Sequence, residues 1–256
     1  MNVHMFWAYG QVSQLERLAM RSFVGMGYDL TVWTYNPELE LPEGVMRGDA
    51  SEILEERFVF KNRVGSYAGF SDLFRYAVLN TIGGMYADTD VIALRPVTEL
   101  PPGKLLVRER KMKDHKFIAG IKIVLGLADR IAWFEAINGN IIVNPKPEPG
   151  GLIDIALERA HAYPKEAILW PEIGPALLTQ LVQEMPGHGF RICDVAFANP
   201  IAYWRCPDHL VTPGMNLPEE AFFLHCYNEM WRWRRIDKND PFPTNSIMDR
   251  MQRRYS

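Results

Sequence analysis

The stretch Ser71–Val91 reads SDLFRYAVLNTIGGMYADTDV, and two periodicities meet in it. From Ser71 to Ile82 the spacing predicts a helix. Phe74, Ala77, Val78 and Ile82 form its apolar stripe, Ser71 is its N-cap, and Asp72 lies where the helix dipole favours negative charge. Gly83 and Gly84 stop it. From Met85 to Leu94 the chain reads as a strand interrupted by Asp88-Thr89-Asp90, and Pro96 ends it.

Working outward, Asn2–Trp7 reads as a first strand, and Ser13–Met26 as a helix with Leu15, Leu18, Ala19, Phe23 and Val24 near one face. Gly25 and Gly27 follow. They are a helix C-cap better than half a dinucleotide fingerprint, since the third glycine is missing and no strand precedes them. Tyr28–Tyr35 is a second strand. Strand, helix and strand thus alternate, which predicts an α/β fold with a mostly parallel central sheet. The second half is less regular. Asn144–Gly151 is a loop, Leu152–Ala162 a helix, Gly174–Met185 contains another with Pro175 in its first turn, and Arg191–Ala198 reads as a strand. Ala221–His225 is a short apolar segment leading into HCYNEMWRW.

The chain has 256 residues, enough for one large domain, with 48% hydrophobic and 23% charged residues. Its net charge of −3 gives no general case for a polyanionic partner, although WRWRR and DRMQRRY form local basic stretches. There is no apolar run long enough for a transmembrane helix, and the first residues lack the pattern of a signal peptide. Cys193, Cys206 and Cys226 are odd in number and without CxxC spacing, so reduced thiols in a cytoplasmic protein are expected.

A pair of aspartates two apart arises by chance in a chain of this length, so Asp88 and Asp90 matter only through their context. Carboxylates between buried strand segments are costly unless a cation or strong hydrogen bonds offset their charge. On an extended chain the two would face the same way. Side by side they suit Mg²⁺ or Mn²⁺, with phosphate oxygens completing the shell. Such an ion stabilises the negative charge that grows on a nucleoside diphosphate as a sugar–phosphate bond breaks. In open α/β sheets ligands of this kind sit beyond the carboxyl ends of the strands. Asp72 and Arg75, three apart, share a helix face as an ion pair, exposed or orienting each other at a site.

The combination resembles the family 32 glycosyltransferases, the DXD sugar-binding group that includes yeast-type mannosyltransferases and is related to large bacterial toxin glucosyltransferases. Its S-D-x-x-R-Y helix and G-G-x-Y-x-D-x-D segment are matched by Ser71, Asp72, Arg75, Tyr76, Gly83, Gly84, Tyr86, Asp88 and Asp90. The resemblance implies a single GT-A-type, Rossmann-like domain over 1–256. Residues 1–95 would bind the nucleotide sugar, and 96–256 would carry the acceptor side and a closing segment. It implies metal-dependent transfer of a hexose from a UDP- or GDP-sugar to an acceptor hydroxyl, with retention.

Residue by residue, the resemblance puts Asp88, Asp90, His225 and Asn228 on the metal and makes Asp88, Asp90, Asp72 and Arg75 catalytic, with Asp72 on sugar hydroxyls and Arg75 on sugar or phosphate. Trp7 in FWAYG takes the place of the base-stacking tryptophan, with Tyr9 beside it. The spacing departs, two residues separating Trp7 from Gly10 instead of one. Ser71, Tyr76 and Thr89 complete the donor-binding set. IGPALLT, Ile173–Thr179, is similar to a T-G-P-x-x-L-T segment near the acceptor, with Ile173 for threonine. HCYNEMW, His225–Trp231, is similar to the closing segment, which would put the Trp231 indole N–H on the diphosphate.

Two other readings compete. A sugar-nucleotide pyrophosphorylase would carry a glycine-rich basic loop where this chain reads AYGQVSQLER, and a non-catalytic nucleotide-sugar binder would have no need of Asp88, Asp90 and His225. For the acceptor, a glycan or lipid-linked sugar is the default. A protein side chain follows from the toxin kinship, and a modified nucleic acid from the basic aromatic C-terminal stretch. Glu135, Asn138, Asn140 and Glu172 are candidates for an acceptor cleft, while His4, His115, His161, His188 and His209 show no ligand spacing and read as structural or exposed.

Overall fold

The computed structural model describes residues 1–62, 65–109, 136–165, 168 and 172–255. Glu135 and His115 lie outside them. The strands are β1 (Asn2–Phe6), β2 (Asp29–Thr34), β3 (Met46–Asp49), β4 (Gly84–Ala87), β5 (Val91–Ala93), β6 (Lys104–Arg108), β7 (Ile137–Asn144), β8 (Phe190–Cys193) and β9 (Phe223–His225). Seven of them form one sheet in the order β3-β2-β1-β4-β7-β6-β8, and β5 and β9 form a separate ribbon. In the large sheet only β7 runs against its neighbours. The expected α/β fold with a mostly parallel sheet is therefore present, and strands from both halves of the chain build that sheet.

Alternation along the strands explains its two covered faces. Tyr86, Leu106 and Ile142 turn to one side, while Met85, Ala87, Leu105, Val107, Ile141 and Val143 turn to the other. On the first side pack α2 (Ala68–Thr81), α3 (Leu152–Ala162) and α4 (Pro175–Glu184), which supply Phe70, Phe74, Ile153 and Leu178. On the other lies α1 (Gln14–Gly25), with Met20 and Phe23 on the sheet and Leu15, Leu18 and Ala19 against the ribbon. The ribbon's Ile92 and Leu224 share a third core with Trp231 of α7 (Asn228–Arg234) and with α8 (Ile247–Arg254). Two short helices are also described, α5 (Val195–Ala198) and α6 (Asp208–Val211).

Several expectations shift locally. The helix expected from Ser71 begins at Ala68, with Tyr67 as its N-cap, and Ile82 is 40% exposed beyond its end. Of Arg191–Ala198, only the first part is strand. Asp194 caps the Val195 N–H and starts α5 there. Cys193, Cys206 and Cys226 are free and buried. No helix among the described residues is long and apolar enough to cross a membrane.

The glycine stop after α2 is sterically enforced. Gly83 and Gly84 have φ of 78° and 99°. A Cβ on Gly84 would stand 2.7 Å from the Asn2 carbonyl oxygen, and one on Gly83 would stand 2.7 Å from Lys146 Cα. This turn feeds β4 into the sheet. Gly84→Ala is expected to lower unfolding free energy by more than about 1 kcal/mol. Gly187→Ala, where a Cβ meets nothing within 4 Å, should change it by less than about 0.5 kcal/mol. Urea denaturation of both variants checks this, and equal midpoints would show that the turn is not constrained.

Candidate active site

The chain leaves the large sheet at Ala87 and enters the ribbon at Val91. Between them Asp88-Thr89-Asp90 forms a turn, closed by the Val91 N–H on the Asp88 carbonyl at 3.1 Å. The two carboxylates thus converge through a turn and not through the pleat of an extended strand. The ribbon then fixes the third group. β5 and β9 pair antiparallel with Val91 opposite His225, and the Cys226 N–H donates to the Asp90 carbonyl at 2.9 Å. That register brings the imidazole to the turn. Ligand atoms of Asp88, Asp90 and His225 all lie within 4.8 Å of one another.

His225 Nε2 stands 3.5 Å from Asp90 Oδ1, and the Asn228 N–H at the start of α7 donates to Asp90 Oδ2 at 2.6 Å. Burial opposes ionisation of Asp90, but the charge and hydrogen bond of His225 and the Asn228 N–H hold its carboxyl below the usual range. Burial likewise opposes charge on His225, yet Asp90 and then Asp88 and Glu109 lift the imidazole above its ordinary value. Asp88 is pushed up, by burial first, against the pull of Arg75. Positive charge is therefore favoured at the centre of this trio. Two carboxylates and an imidazole nitrogen are a donor set that fits a divalent cation.

A second group of charges sits beside the first. Arg75 Nη1 is 3.0 Å from Asp72 Oδ1, and its Nη2 is 3.0 Å from Asp88 Oδ1. The expected helix-face pair exists, but it is buried, with side-chain exposures of 7% for Arg75 and 6% for Asp72. The guanidinium also lies over the Tyr86 ring, 5.0 Å from its centroid, and its Nε has no partner among the described residues. Two glycines make room for the pair. A Cβ on Gly139 would strike Arg75 Nη1, and one on Gly174 would stand 2.5 Å from Asp72 Oδ2. Gly174 belongs to the IGPALLT segment, which here packs against the Asp72–Arg75 pair.

Not every expected residue presents its polar atom to this site. Tyr76 is fully buried and donates to the Ile173 carbonyl at 3.0 Å, and the Ser71 hydroxyl pairs with the Tyr86 hydroxyl at 3.0 Å. The Trp231 indole N–H, expected on a diphosphate, donates to the Cys226 carbonyl at 2.9 Å in the core. Asn228 contributes its backbone N–H, while its Oδ1 accepts from Lys238 at 3.1 Å. Thr89 is buried within the turn. Trp7 follows β1, and its indole Nε1 is buried without a partner among the described residues. Tyr9 is 37% exposed and edges a groove of about 500 Å³ lined by Glu56, Val59, Phe60, Lys61 and Tyr67.

Asn138 and Asn140 are buried in hydrogen-bond networks, with Asn140 Nδ2 on Asn199 Oδ1 at 3.0 Å, so neither lines an open cleft. Glu172 precedes α4 and is half-buried. His4 is structural, as expected. It binds the Gly83 carbonyl at 2.9 Å and receives the Trp33 indole N–H at 3.1 Å. Glu109, Asn199 and Tyr227, which cluster around His225, carried no signal of their own in the sequence.

Residues 28–107 match the family model described as "Glycosyltransferase sugar-binding region containing DXD motif". That segment therefore resembles the sugar-binding region of the DXD glycosyltransferases. No curated protein matches the chain. Among solved structures the chain is similar to PaToxG Glycosyltransferase, at 18% identity and TM-score 0.45 over 73% of this chain and 70% of that one. It is also similar to the WbbM bifunctional glycosyltransferase, at 12% and 0.44 over 98% of this chain and 51% of that one. A third is the glycosyltransferase GlyE of Streptococcus pneumoniae TIGR4, at 11% and 0.46 over 99% of this chain and 59% of that one. The chain thus spans between half and three-fifths of the length of the latter two. The family resemblance rests on the matched segment.

Two outcomes follow for this site. Gly139→Ala should cost about 1–3 kcal/mol of stability by overpacking. In an Arg75→Ala background that cost should vanish, because the guanidinium it strikes is gone. A double-mutant cycle in urea measures the coupling, and additive costs would show that Gly139 does not serve Arg75. The second outcome concerns Asp72. Burial, with help from Asp88 and against the attraction of Arg75, raises its carboxyl from 3.8 to about 6. Between these values the native state holds a proton that the unfolded chain has lost, so this group lowers stability as pH rises through the window. In metal-free protein Asp72→Asn should gain on the wild type from about pH 4 to about pH 6 and then level off, by no more than about 3 kcal/mol. A difference independent of pH would contradict the burial of Asp72 as an acid.

Proposed function

We propose that this protein is a metal-dependent glycosyltransferase that moves a hexose from a nucleotide-diphosphate sugar to an acceptor hydroxyl. One observation carries the reading: Asp88, Asp90 and His225, from distant parts of the chain, converge within 4.8 Å at the carboxyl end of β4, beside the buried Asp72–Arg75 pair. The position is where open α/β sheets place their ligands.

Each residue has a part in this reading. Asp88, Asp90 and the His225 Nε2 atom hold Mn²⁺ or Mg²⁺, and the Asn228 N–H steadies Asp90. When bound, the cation supplies Lewis-acid stabilisation of the charge that develops on the departing diphosphate. Arg75 fixes Asp88 through one nitrogen and Asp72 through another. Asp72 accepts from sugar hydroxyls, and Arg75 orients the sugar and its phosphate through a planar set of donors. Trp7, with its unpartnered indole N–H, and Tyr9, at the edge of the groove beyond β1, are assigned to the nucleoside, with UDP or GDP as the nucleotide. Ser71, Tyr76, Thr89 and Trp231 support these contacts from beneath.

No carboxylate is assigned as nucleophile. Transfer with retention then proceeds on the front face, where the leaving diphosphate takes the acceptor proton. Residues 1–95 are assigned to the donor and 96–256 to the acceptor side and closure, within one domain. A glycan or lipid-linked sugar is the proposed acceptor. Three buried free cysteines support a reducing compartment, and the cytoplasm is the proposed location.

The test is hydrolysis of a panel of nucleotide sugars with and without Mn²⁺. Turnover of one donor that EDTA abolishes is expected, and Asp90→Asn should lower it by at least about 100-fold while circular dichroism stays unchanged. Near-normal turnover in that variant, or turnover indifferent to EDTA, would sink the metal assignment. Formation of nucleoside triphosphate from sugar nucleotide and pyrophosphate would replace the reading with a pyrophosphorylase.

A further inference from the structure

His225 offers two ring nitrogens, and only one of them faces the carboxylates. Nε2 stands toward Asp90, and Nδ1 lies 3.2 Å from Asn199 Oδ1. We infer that Asn199 is a positioning residue for the cation site: it holds His225 in the Nδ1–H tautomer and so keeps the Nε2 lone pair aimed at Asp88 and Asp90. This rests on the reading of that trio as a metal site.

The atoms around Asn199 settle which end of its amide is oxygen. Its Nδ2 faces the Arg108 carbonyl at 3.1 Å, which can only accept. The neighbouring Asn140 is fixed in the same manner, because its Oδ1 receives the Ile141 N–H at 3.0 Å, which can only donate. Asn140 therefore presents Nδ2 to Asn199, at 3.0 Å, and that contact requires the Asn199 oxygen. The Tyr227 hydroxyl, a single donor, stands 3.2 Å from the same oxygen and 3.3 Å from Glu109 Oε1. Facing an oxygen so assigned, His225 Nδ1 must carry hydrogen. Asn199 and Asn140 are both fully buried, so water does not substitute for either.

The arrangement opposes a local preference. An isolated imidazole beside Asp90 would place its hydrogen on Nε2, toward the carboxylate, and would block the lone pair that a cation needs. Asn199 favours the other tautomer from the opposite edge of the ring. It reaches that edge because it ends α5, where its N–H bonds the Val195 carbonyl at 2.8 Å. Tyr227 completes the clamp, its ring 3.8 Å from that of His225 between centroids. Histidine ligands to metals generally donate their second N–H to such a partner, and its loss costs about 10–100-fold in metal affinity.

Nitrogen-15 spectra of the full chain, metal-free and at a pH where His225 is neutral, read the tautomer directly. The wild type should show Nδ1–H. Asn199→Leu should shift the population toward Nε2–H, and Mn²⁺ affinity, followed by electron paramagnetic resonance, should fall by about 10–100-fold. Asn199→Asp keeps an acceptor oxygen toward His225 and should retain the Nδ1–H tautomer, even where loss of the donor to the Arg108 carbonyl lowers stability. A wild-type Nε2–H tautomer overturns the inference even if Asn199→Leu does not fold. An unshifted tautomer or unchanged affinity in folded Asn199→Leu also overturns it. Failure of the wild type to bind Mn²⁺ while keeping Nδ1–H would instead remove the metal reading, and the ligand-orienting role with it.

Discussion

Arg75 carries its charge where almost no water reaches it, and the site is organised around that fact. An isolated guanidinium there would be prohibitive, so the fold brings Asp72 from the same helix and Asp88 from the end of β4 to meet its two terminal nitrogens. The pair from α2 locks the helix to the strand. It also demands space that no side chain occupies, which is why Gly139 on β7 and Gly174 before α4 face it. Helix, strand, antiparallel strand and following loop are thus bound to one cation.

The other constraint is the departure of the chain from the large sheet. β4 could not continue as a strand without carrying two carboxylates into the core. It turns instead, and the three residues after the turn pair with β9. The ribbon is short, but its core of Ile92, Leu224 and Trp231 is fully buried. Burial of Trp231 anchors α7, and α7 in turn points its first N–H, that of Asn228, at Asp90. The indole is therefore employed in holding the helix that serves the site.

Much of this was legible in one stretch of sequence. Ser71–Val91 contains the helix, the glycine stop, the strand and the turn, and local rules of period and propensity apply because each piece is fixed by its neighbours in the chain. The alternation of strands and helices likewise predicted a mostly parallel sheet. Local rules failed where long-range contact decided. Ser71 reads as an N-cap, yet the packing of Phe70 extends the helix past it. Asp88 and Asp90 converge by a turn whose geometry depends on the ribbon. Asn199 carries no motif, since its role exists only because α5 ends beside the back of His225. Trp231 shows the limit of resemblance, for a motif position carries over without saying which way a side chain donates.

The ribbon also has a temporal consequence. Asp90 and the backbone that caps it are 138 residues apart, and loop closure over such a span comes late compared with the local helix and turn of Ser71–Val91. During synthesis the aspartates emerge long before the imidazole. A partly made chain therefore holds two thirds of the trio with no means of completing it, and competence arrives only when the last ribbon strand zips onto β5. Until β9 is in place, no partly made chain brings Asp88, Asp90 and His225 together.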